Sequence, residues 1–284
     1  MTAKSLPCKL CLFILCLSIC HTILGADSWN GELYAKNSSV QQSHAQRLLL
    51  SLSLQGDESI LDLGCGDGTL TALLQEKTPR GSVLGIDPSD SMLAKARAQY
   101  PHITFLQDRA ETFSLTKKFD HVIAIHVMHW IQNQEAALSN IYSHLKPGGQ
   151  IHLILSPSKE GLPFHRALQK TLKTWRQEFE EFQNPQRVFS MDDYCALVRK
   201  AGFHITGCHY LYHESLHESK EALQRWIQQW LPHGKHLPME KQPLFFQELM
   251  DHYLEEVKAD PKSSSLSWGE YVLIIEGCKD SSTQ

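Results

Sequence analysis

Three glycines at alternate positions, Gly64, Gly66 and Gly68, follow an apolar run that carries the carboxylate of Asp62 near its end. Glycine lets a loop turn tightly and lets its backbone approach a ligand closely. About twenty residues further on, the acid Asp87 ends a second apolar run. In a dinucleotide site, an acid at that position accepts hydrogen bonds from ribose hydroxyls. The pattern therefore indicates a loop that binds a ligand containing ribose.

The spacing of this loop differs from that of a dinucleotide-binding loop. Its glycines form G-x-G-x-G, whereas the dinucleotide pattern is G-x-G-x-x-G. Asp67 also lies inside the loop, where it would repel a pyrophosphate. These two features disfavour a nicotinamide-dependent reductase. A cofactor with a ribose, an amino-acid part and a cationic sulfur fits better, and we expect S-adenosylmethionine.

Two further residues extend the expected cofactor site. Asp108 ends a third apolar run, where its carboxylate can accept a hydrogen bond from an adenine amino group. Met92, near the start of the helix after Asp87, is placed to pack on an adenine face. Alone, each acid is typical of a helix cap or turn, and Met92 is typical of a core. Together, with each acid at the carboxyl end of a strand, they favour a cofactor site.

The elements that must position these residues follow a regular rhythm. Strands are expected over 58–63, 82–87, 103–108, 119–127 and 151–156, with helices between them. One helix is expected to be capped by Asp90, and another to end at Pro147-Gly148-Gly149. Strands that alternate with helices are typical of βαβ units, so we predict an α/β fold, doubly wound around a mostly parallel sheet.

The second half of the chain departs from this rhythm. Helical segments interrupt it near 157–189 and 217–260, and a last strand is expected at 268–277. We therefore expect one domain over 27–284 with two helical insertions.

Composition and charge limit the classes of function. The chain has 284 residues, of which 42% are hydrophobic and 20% charged, and its formal net charge is −4. These values are typical of a globular protein. The basic residues are scattered along the chain, so we expect no nucleic-acid partner.

Cysteines and histidines give no sign of a metal centre. Of the eight cysteines, four lie in residues 1–20, and the remaining four are widely spaced. They show neither metal-ligand spacing nor a disulfide framework, which favours a reduced compartment. Four histidines are close in sequence, but no cysteine or acid completes a tetrahedral set with them: His204, His209, His213 and His217. We therefore predict no metal.

Residues 1–26 have the pattern of a secretory leader or membrane anchor. Lys4 and Lys9 precede an apolar run at 10–24, which is shorter than the roughly 20 residues of a membrane span. S-adenosylmethionine is a cytosolic metabolite, so we expect a cytoplasmic enzyme. The leader would then either tether the enzyme to a membrane or result from a misassigned start site. Export is the less favoured interpretation. Any membrane contact is expected through this leader alone.

Four stretches in order, "LDLGCGDGT", "GIDPSDSMLAKA", "QDRAETF" and "LKPGG", resemble the motifs of class I S-adenosylmethionine-dependent methyltransferases. The resemblance covers about 29–203. It implies a Rossmann-like, seven-stranded sheet whose last strand is antiparallel, with "HITGCHYLY" as its partner at the edge, and helical lids over the substrate. It also implies that Cys65, Pro88 and Arg109 belong to the cofactor site. Trp29 and Tyr34 resemble an aromatic pair ahead of the first helix, which places Tyr34 in the cofactor site.

A narrower resemblance lies in His126–Gly149, which is similar to trans-aconitate, juvenile hormone acid and malonyl-carrier-protein methyltransferases. It implies O-methylation of a carboxylate on a small or carrier-bound acid. A carboxylate is already ionised at neutral pH, so this reaction requires no general base. His126, His129 and Trp130 are the candidate catalytic residues, which would orient the acid and exclude water. His126 is also a candidate cofactor contact.

Several alternatives stay open at this stage. Trp130 is equally well explained by packing of a helix on the sheet. Arg47 and Arg187 are weighed as carboxylate partners, but each is more typical of an exposed surface residue. The chain could also bind S-adenosylmethionine without catalysis, or methylate a different small-molecule nucleophile.

Overall fold

The computed structural model describes residues 39–158, 161–260 and 265–281. The leader, Trp29 and Tyr34 lie outside the described residues. Within the described part of the chain, no helix is both long and apolar enough to cross a membrane.

Seven strands form one sheet in the order β3-β2-β1-β4-β5-β7-β6. Their bounds are β1 Ser59–Leu63, β2 Ser82–Asp87, β3 Thr104–Gln107, β4 Phe119–Ile125, β5 Leu145–Leu155, β6 His204–His217 and β7 Leu266–Cys278. Strands β1 to β5 pair in parallel. Strand β7 runs antiparallel to both of its neighbours, β5 and the edge strand β6. The predicted α/β fold and the antiparallel last strand are therefore confirmed.

Nine α-helices lie in the described residues. They are α1 Ser39–Ser51, α2 Thr69–Lys77, α3 Asp90–Gln99, α4 Gln134–His144, α5 Pro163–Thr174, α6 Met191–Lys200, α7 Lys220–Trp230, α8 Pro232–His236 and α9 Gln242–Val257. Successive residues of a strand point to opposite faces of the sheet, and both faces are covered. Leu61 packs with Leu138 and Tyr194 on one face, whereas Ile60 packs with Leu48 and Leu74 on the other.

Two predicted boundaries differ from the structure. Asp90 is the first residue of α3, and the cap is Ser89, whose hydroxyl accepts a hydrogen bond from the backbone of Met92. Helix α4 ends at His144, before the predicted Pro147-Gly148-Gly149 stop. The reason is that β5 already begins at Leu145, which pairs with Phe119 of β4.

Four helices form a separate layer at the carboxyl edge of the sheet. Helices α5, α7, α8 and α9, here called the helical cap, pack around buried aromatic residues that include Phe164, Trp226, Phe245 and Trp268. Edge-to-face contacts hold them together, as between Phe164 and Trp268, whose ring centroids are 4.8 Å apart. The helical lid that the sequence predicts is thus present.

Candidate active site

A cavity of about 840 Å³ lies between the carboxyl edge of the sheet and the helical cap. Its lining includes Gly64 and Asp87 from the sheet edge and Phe164 and Trp230 from the cap. This is the edge at which open α/β sheets bind ligands. The volume is within the usual range for a small-molecule site, about 300–1,000 Å³.

The glycine loop follows β1 and has three residues in the left-handed region of the backbone map. Gly64, Gly66 and Gly68 have φ values of 72°, 56° and 80°. A Cβ atom on Gly64 would lie 2.2 Å from Cγ2 of Val127, so a larger residue does not fit there. Only glycine tolerates both the left-handed φ and the lack of space for a Cβ atom. Because Gly64 has no side chain and lines the cavity, its backbone is open to a ligand there.

Three polar residues in this loop or at the end of β1 do not line the cavity. Asp62 is 2% exposed, and its carboxylate accepts a hydrogen bond of 2.7 Å from the Thr71 hydroxyl. Cys65 is buried among apolar neighbours. Asp67 accepts a hydrogen bond of 3.2 Å from the backbone of Thr69 at the start of α2. Asp67 thus occupies the helix terminus where a phosphate would otherwise bind.

Asp87 connects the loop to the second strand. One of its carboxylate oxygens accepts a hydrogen bond of 3.0 Å from the backbone of Gly66, and the other accepts one of 2.8 Å from the backbone of Ser89. Burial raises the pKa of Asp87, an effect that these two hydrogen bonds partly offset. Asp87 also lines the cavity. It therefore has two roles, since it holds the glycine loop in place and is available to a ligand.

The other predicted cofactor residues lie beside Asp87. Pro88, Met92, Asp108 and Arg109 all line the cavity. Met92 is 4% exposed and sits in the first turn of α3. Asp108 accepts a hydrogen bond of 2.8 Å from the backbone of Arg109, which turns the chain after β3. The structure thus brings together the residues at the ends of β1, β2 and β3.

A row of three imidazole rings lies where β4 ends. Nε2 of His126 is 2.8 Å from Nδ1 of His44 on α1. The His44 ring also contacts that of His213 on β6, with centroids 4.5 Å apart. His126 has a φ of 57°, which is rare for a residue other than glycine. Such strain is retained mainly at functional sites, where the surroundings hold it.

His129 and Trp130 follow in a short 3₁₀ turn, Met128–Trp130, and both line the cavity. His129 is 3% exposed, and its Nδ1 accepts a hydrogen bond of 3.3 Å from the backbone of Ser156. The proton of the neutral ring is therefore assigned to Nε2. The half-buried indole of Trp130 lies beside the His129 ring.

These imidazoles are neutral at physiological pH. Burial, with a smaller effect of neighbouring imidazoles on His44 and His126, lowers the pKa of His44, His126 and His129 to about 3. Their role is therefore that of neutral hydrogen-bonding groups, and a charged imidazole is not available to pair with an acid.

Another part of the cavity wall is aromatic and contains the largely buried carboxylate of Glu270. Trp226, Trp230, Trp268 and Glu270 line it. Burial raises the pKa of Glu270 to about 7, an effect that the neighbouring Trp268 side chain partly offsets.

Sequence reasoning missed several residues of this cavity. Gln41 lines the cavity, whereas His44, three positions further along the same face of α1, contacts His126 without lining the cavity. Nothing in the local sequence relates either residue to His126. Glu270 had a signal, since it is one of two acids in a final strand that is otherwise mostly apolar. Arg47 and Arg187 are exposed and do not line the cavity. Among the described residues, no cluster of three or more His, Cys, Asp or Glu residues has the arrangement of a metal site.

Comparison with known proteins agrees with this geometry. A family model described as a methyltransferase domain matches residues 38–207. The candidate methyltransferase 235L of Invertebrate iridescent virus 6 is 26% identical over 84% of this chain and 91% of its own length. A trans-aconitate 2-methyltransferase of Azoarcus is 32% identical over 52% of this chain and 58% of its own length.

Solved structures share the fold. A candidate methyltransferase of Bacillus halodurans has a TM-score of 0.60 at 20% identity, covering 84% of this chain and 99% of that one. Phosphoethanolamine N-methyltransferase 2 of Haemonchus contortus, solved with S-adenosylhomocysteine, has a TM-score of 0.54 at 16% identity, covering 84% of this chain and 52% of that one.

Fold, site and relatives together define a class I S-adenosylmethionine-dependent methyltransferase. The chain belongs to the methyltransferase-domain family, and its cofactor is S-adenosylmethionine.

Proposed function

We propose that this enzyme methylates a carboxylate oxygen of a small organic acid. The trans-aconitate 2-methyltransferases among its relatives support an acid as substrate, at modest identity. S-adenosylmethionine supplies the methyl group, whose bond to sulfur breaks as the bond to the carboxylate oxygen forms, leaving a neutral thioether.

One observation carries the choice of a carboxylate. His126 and His129 are held neutral in hydrogen bonds, and their pKa values of about 3 make them weak bases. An alcohol or ammonium group would have to lose a proton at this point, whereas a carboxylate arrives ionised. We therefore infer a nucleophile that needs no base at the histidine end of the cavity.

The same residues offer ways to hold the acid. The Nε2–H of neutral His129 and the side-chain amide of Gln41 are hydrogen-bond donors in the cavity lining. Trp130 provides an apolar wall that excludes water beside them. Positioning of this kind supplies most of the rate in a displacement that requires no proton transfer.

The residues at the strand ends fit the cofactor. The glycine loop has no room for a Cβ atom at Gly64, which leaves its backbone free to receive the methionine part. We propose that Asp87 accepts hydrogen bonds from the ribose, and that Met92 and Asp108 contact the adenine. Asp62 acts behind the loop, through its hydrogen bond with Thr71.

A free acid is favoured over one bound to a carrier protein. An acidic carrier would require unpaired basic residues around the helical cap. Two basic residues of α5, Arg166 and Lys170, form ion pairs with Glu256 of α9 at 2.5 and 2.6 Å, which reduces the positive charge that this helix offers to a carrier. We therefore propose a small-molecule substrate.

The test compares compounds that share one carbon skeleton. Purified enzyme and S-adenosylmethionine are incubated with caproate, hexanol and hexylamine, and with the shorter and longer members of each series. We expect methyl transfer to acids alone, detected by mass spectrometry. Transfer to the alcohols or amines in preference to the acids would reject the proposal.

We also propose that the enzyme works in the cytoplasm, where its methyl donor is made. Fusing residues 1–30 to a reporter and fractionating the cells tests this proposal. A reporter that is retained supports it, and a cleaved, exported reporter contradicts it.

A further inference from the structure

Glu270 is a buried carboxylate in the wall of the cavity that the proposed chemistry does not use. It lies on β7 directly opposite His213 of β6. Its Oε1 atom is enclosed by the protein and makes no hydrogen bond of good geometry within the described residues, and the Trp268 side chain is its neighbour. Buried polar groups nearly always have hydrogen-bond partners, so a carboxylate that lines a ligand cavity with so few partners of its own indicates a donor on the ligand.

The charge of Glu270 is offset in part by the Trp268 side chain but by no cationic group of the described residues. Burial is the main influence on its pKa, and no lysine, arginine or histidine of the described residues lowers it. Burying a carboxylate without a partner is costly. A cationic ligand group would remove that cost and hold the carboxylate in its ionised form.

Aromatic rings surround the same end of the cavity. The indoles of Trp226, Trp230 and Trp268, here called the tryptophan cluster, form a triangle with centroid distances of 5.1, 5.4 and 5.9 Å. All three line the cavity together with Phe164 and Glu270. Aromatic rings attract cations, and the attraction is strongest when water is excluded.

We propose that Glu270 and the tryptophan cluster form a subsite for an ammonium group of the substrate. The ammonium subsite itself does not depend on the proposed function. The proposed function enters only for the other end of the substrate, the carboxylate that is methylated. Glu270 is linked to His126, where methyl transfer is proposed to occur, by a chain of neighbours. His126 contacts His44, His44 contacts His213, and His213 is the cross-strand neighbour of Glu270. The substrate is therefore an acid with a separate amino group.

Two consequences follow for selectivity. A carboxylate in the wall repels a second carboxylate, so a polyacid of the trans-aconitate type is a poor ligand for this cavity. An amino group held by Glu270 stays protonated and has no lone pair for attack on the methyl group. Methyl transfer is thereby directed to the carboxylate end.

Binding of four ligands with one chain length tests the subsite without relying on turnover. Full-length protein saturated with S-adenosylhomocysteine is titrated calorimetrically with ε-aminocaproate, ω-hydroxycaproate, caproate and adipate, and with shorter and longer members of each series. The hydroxy acid is included because the indole N–H groups of Trp226 and Trp230 also lack acceptors in the described residues. Hexylamine serves as a probe that has the cation but no carboxylate.

We expect the amino acid of the best-fitting length to bind about tenfold to hundredfold tighter than the matching plain acid, with the diacid weakest. Glu270→Gln is expected to remove that preference and to weaken hexylamine binding by a similar factor. The control Glu276→Gln changes an acid on the same strand that does not line the cavity, and it is expected to leave both unchanged. Unchanged affinity for S-adenosylhomocysteine shows that Glu270→Gln is folded.

The outcomes separate this proposal from the proposed function. Amino and plain acids that bind equally, a hydroxy acid that binds as well as the amino acid, or a preference that survives Glu270→Gln would overturn the ammonium subsite even if acids are methylated. Binding of hexylamine that depends on Glu270 would support the subsite even if no acid is methylated. Failure of every cation to bind also overturns it.

Discussion

The Nδ1 atom of His44 lies 2.8 Å from the Nε2 atom of His126, so one hydrogen bond joins helix α1 to the loop after β4. His126 has a left-handed backbone, and its own N–H donates to the carbonyl of Ile154 at a distance of 2.7 Å. These two contacts hold a strained residue at the edge of the cavity. The position of His126 therefore depends on a residue far away in sequence.

Replacing His44 with phenylalanine tests that dependence. His44→Phe keeps an aromatic ring but leaves Nε2 of His126 without its partner. We expect the free energy of unfolding to fall by about 1–3 kcal/mol, and turnover of an acid that the wild type accepts to fall about tenfold or more. Urea unfolding and a methyl-transfer assay measure the two effects. His209→Phe, at an exposed position of β6, is the matched control, and an equal loss in both variants would contradict the assigned role.

The carboxylate of Asp87 predicts a second effect, on cofactor affinity. It accepts hydrogen bonds from Gly66 and Ser89 and lines the cavity, so Asp87→Ala removes both a loop support and a ligand partner. We expect the affinity for S-adenosylhomocysteine to fall about a hundredfold in calorimetry. Asp90→Ala, at the exposed start of α3, is expected to leave affinity within about threefold of the wild type. Full affinity in Asp87→Ala would remove Asp87 from the cofactor site.

The contact between Gly64 and Val127 predicts a steric effect that can be rescued. Alanine at position 64 would place its Cβ 2.2 Å from Val127 and would also strain a φ of 72°. We expect Gly64→Ala to lower the free energy of unfolding by about 2–4 kcal/mol. The double variant with Val127→Ala is expected to recover part of this loss, because it removes the two methyl groups that lie closest and leaves only the Cβ of residue 127, at 3.1 Å.

A control for Gly64→Ala separates strain from the clash. Gly161 has a φ of 86°, but no atom lies within 4 Å of the place that a Cβ would take, so Gly161→Ala adds strain alone. We expect it to cost about 1–2 kcal/mol. Equal losses at the two sites, with no rescue by Val127→Ala, would show that packing against Val127 is unimportant.

Buried histidines predict that acid destabilises the protein. Burial lowers the pKa to about 3 for His44, His126 and His129, and to about 4 for His152 and His233. Burial also raises the pKa of two carboxyl groups, those of Asp62 and Glu270, to about 7. Between about pH 4.5 and 6, the unfolded chain protonates the five histidines, whereas the folded chain protonates the two carboxyl groups. The unfolded state therefore binds more protons, and stability falls as the pH is lowered.

The size of this effect can be measured directly. With a net difference of up to three protons, we expect the free energy of unfolding to fall by about 1–4 kcal/mol per pH unit below pH 6. Glu270→Gln removes one of the two carboxyl groups that oppose this effect. The difference in bound protons then grows by about one, so the free energy of unfolding is expected to fall more steeply, by about a further 1.4 kcal/mol per pH unit. Urea unfolding at several pH values tests both statements. Stability that rises on acidification would mean that the histidines are not held neutral.

Much of the fold could be predicted because local patterns and tertiary structure agree. The strands before Gly64, Asp87 and Asp108 are short apolar runs that end in polar residues, and parallel strands bring those ends to one edge. The predicted end of α4 was wrong because a non-local pair, Leu145 with Phe119, decides where β5 begins. Local signals for turns at Pro147 and Gly148 could not reveal that pairing.

The candidate site was predictable only where its residues follow a motif. Asp87 and Met92 lie in such motifs and line the cavity, whereas Asp62 and Cys65 also lie in a motif but are buried and do not line it. His44 enters the site through the packing of α1 on the sheet, which no local pattern encodes. The orientation of a side chain in a loop and the partner of a helix face are both settled by tertiary contacts.

The most direct test of the proposed function is the chemical nature of the bond that the enzyme makes. A panel of small acids is incubated with enzyme and S-adenosylmethionine labelled in its methyl group, and the labelled products are treated with mild alkali. A carboxylate methyl ester is hydrolysed, so we expect the label to be released as methanol. Label that stays in alkali-stable products would mean methylation of nitrogen or of an alcohol, and would contradict transfer to a carboxylate.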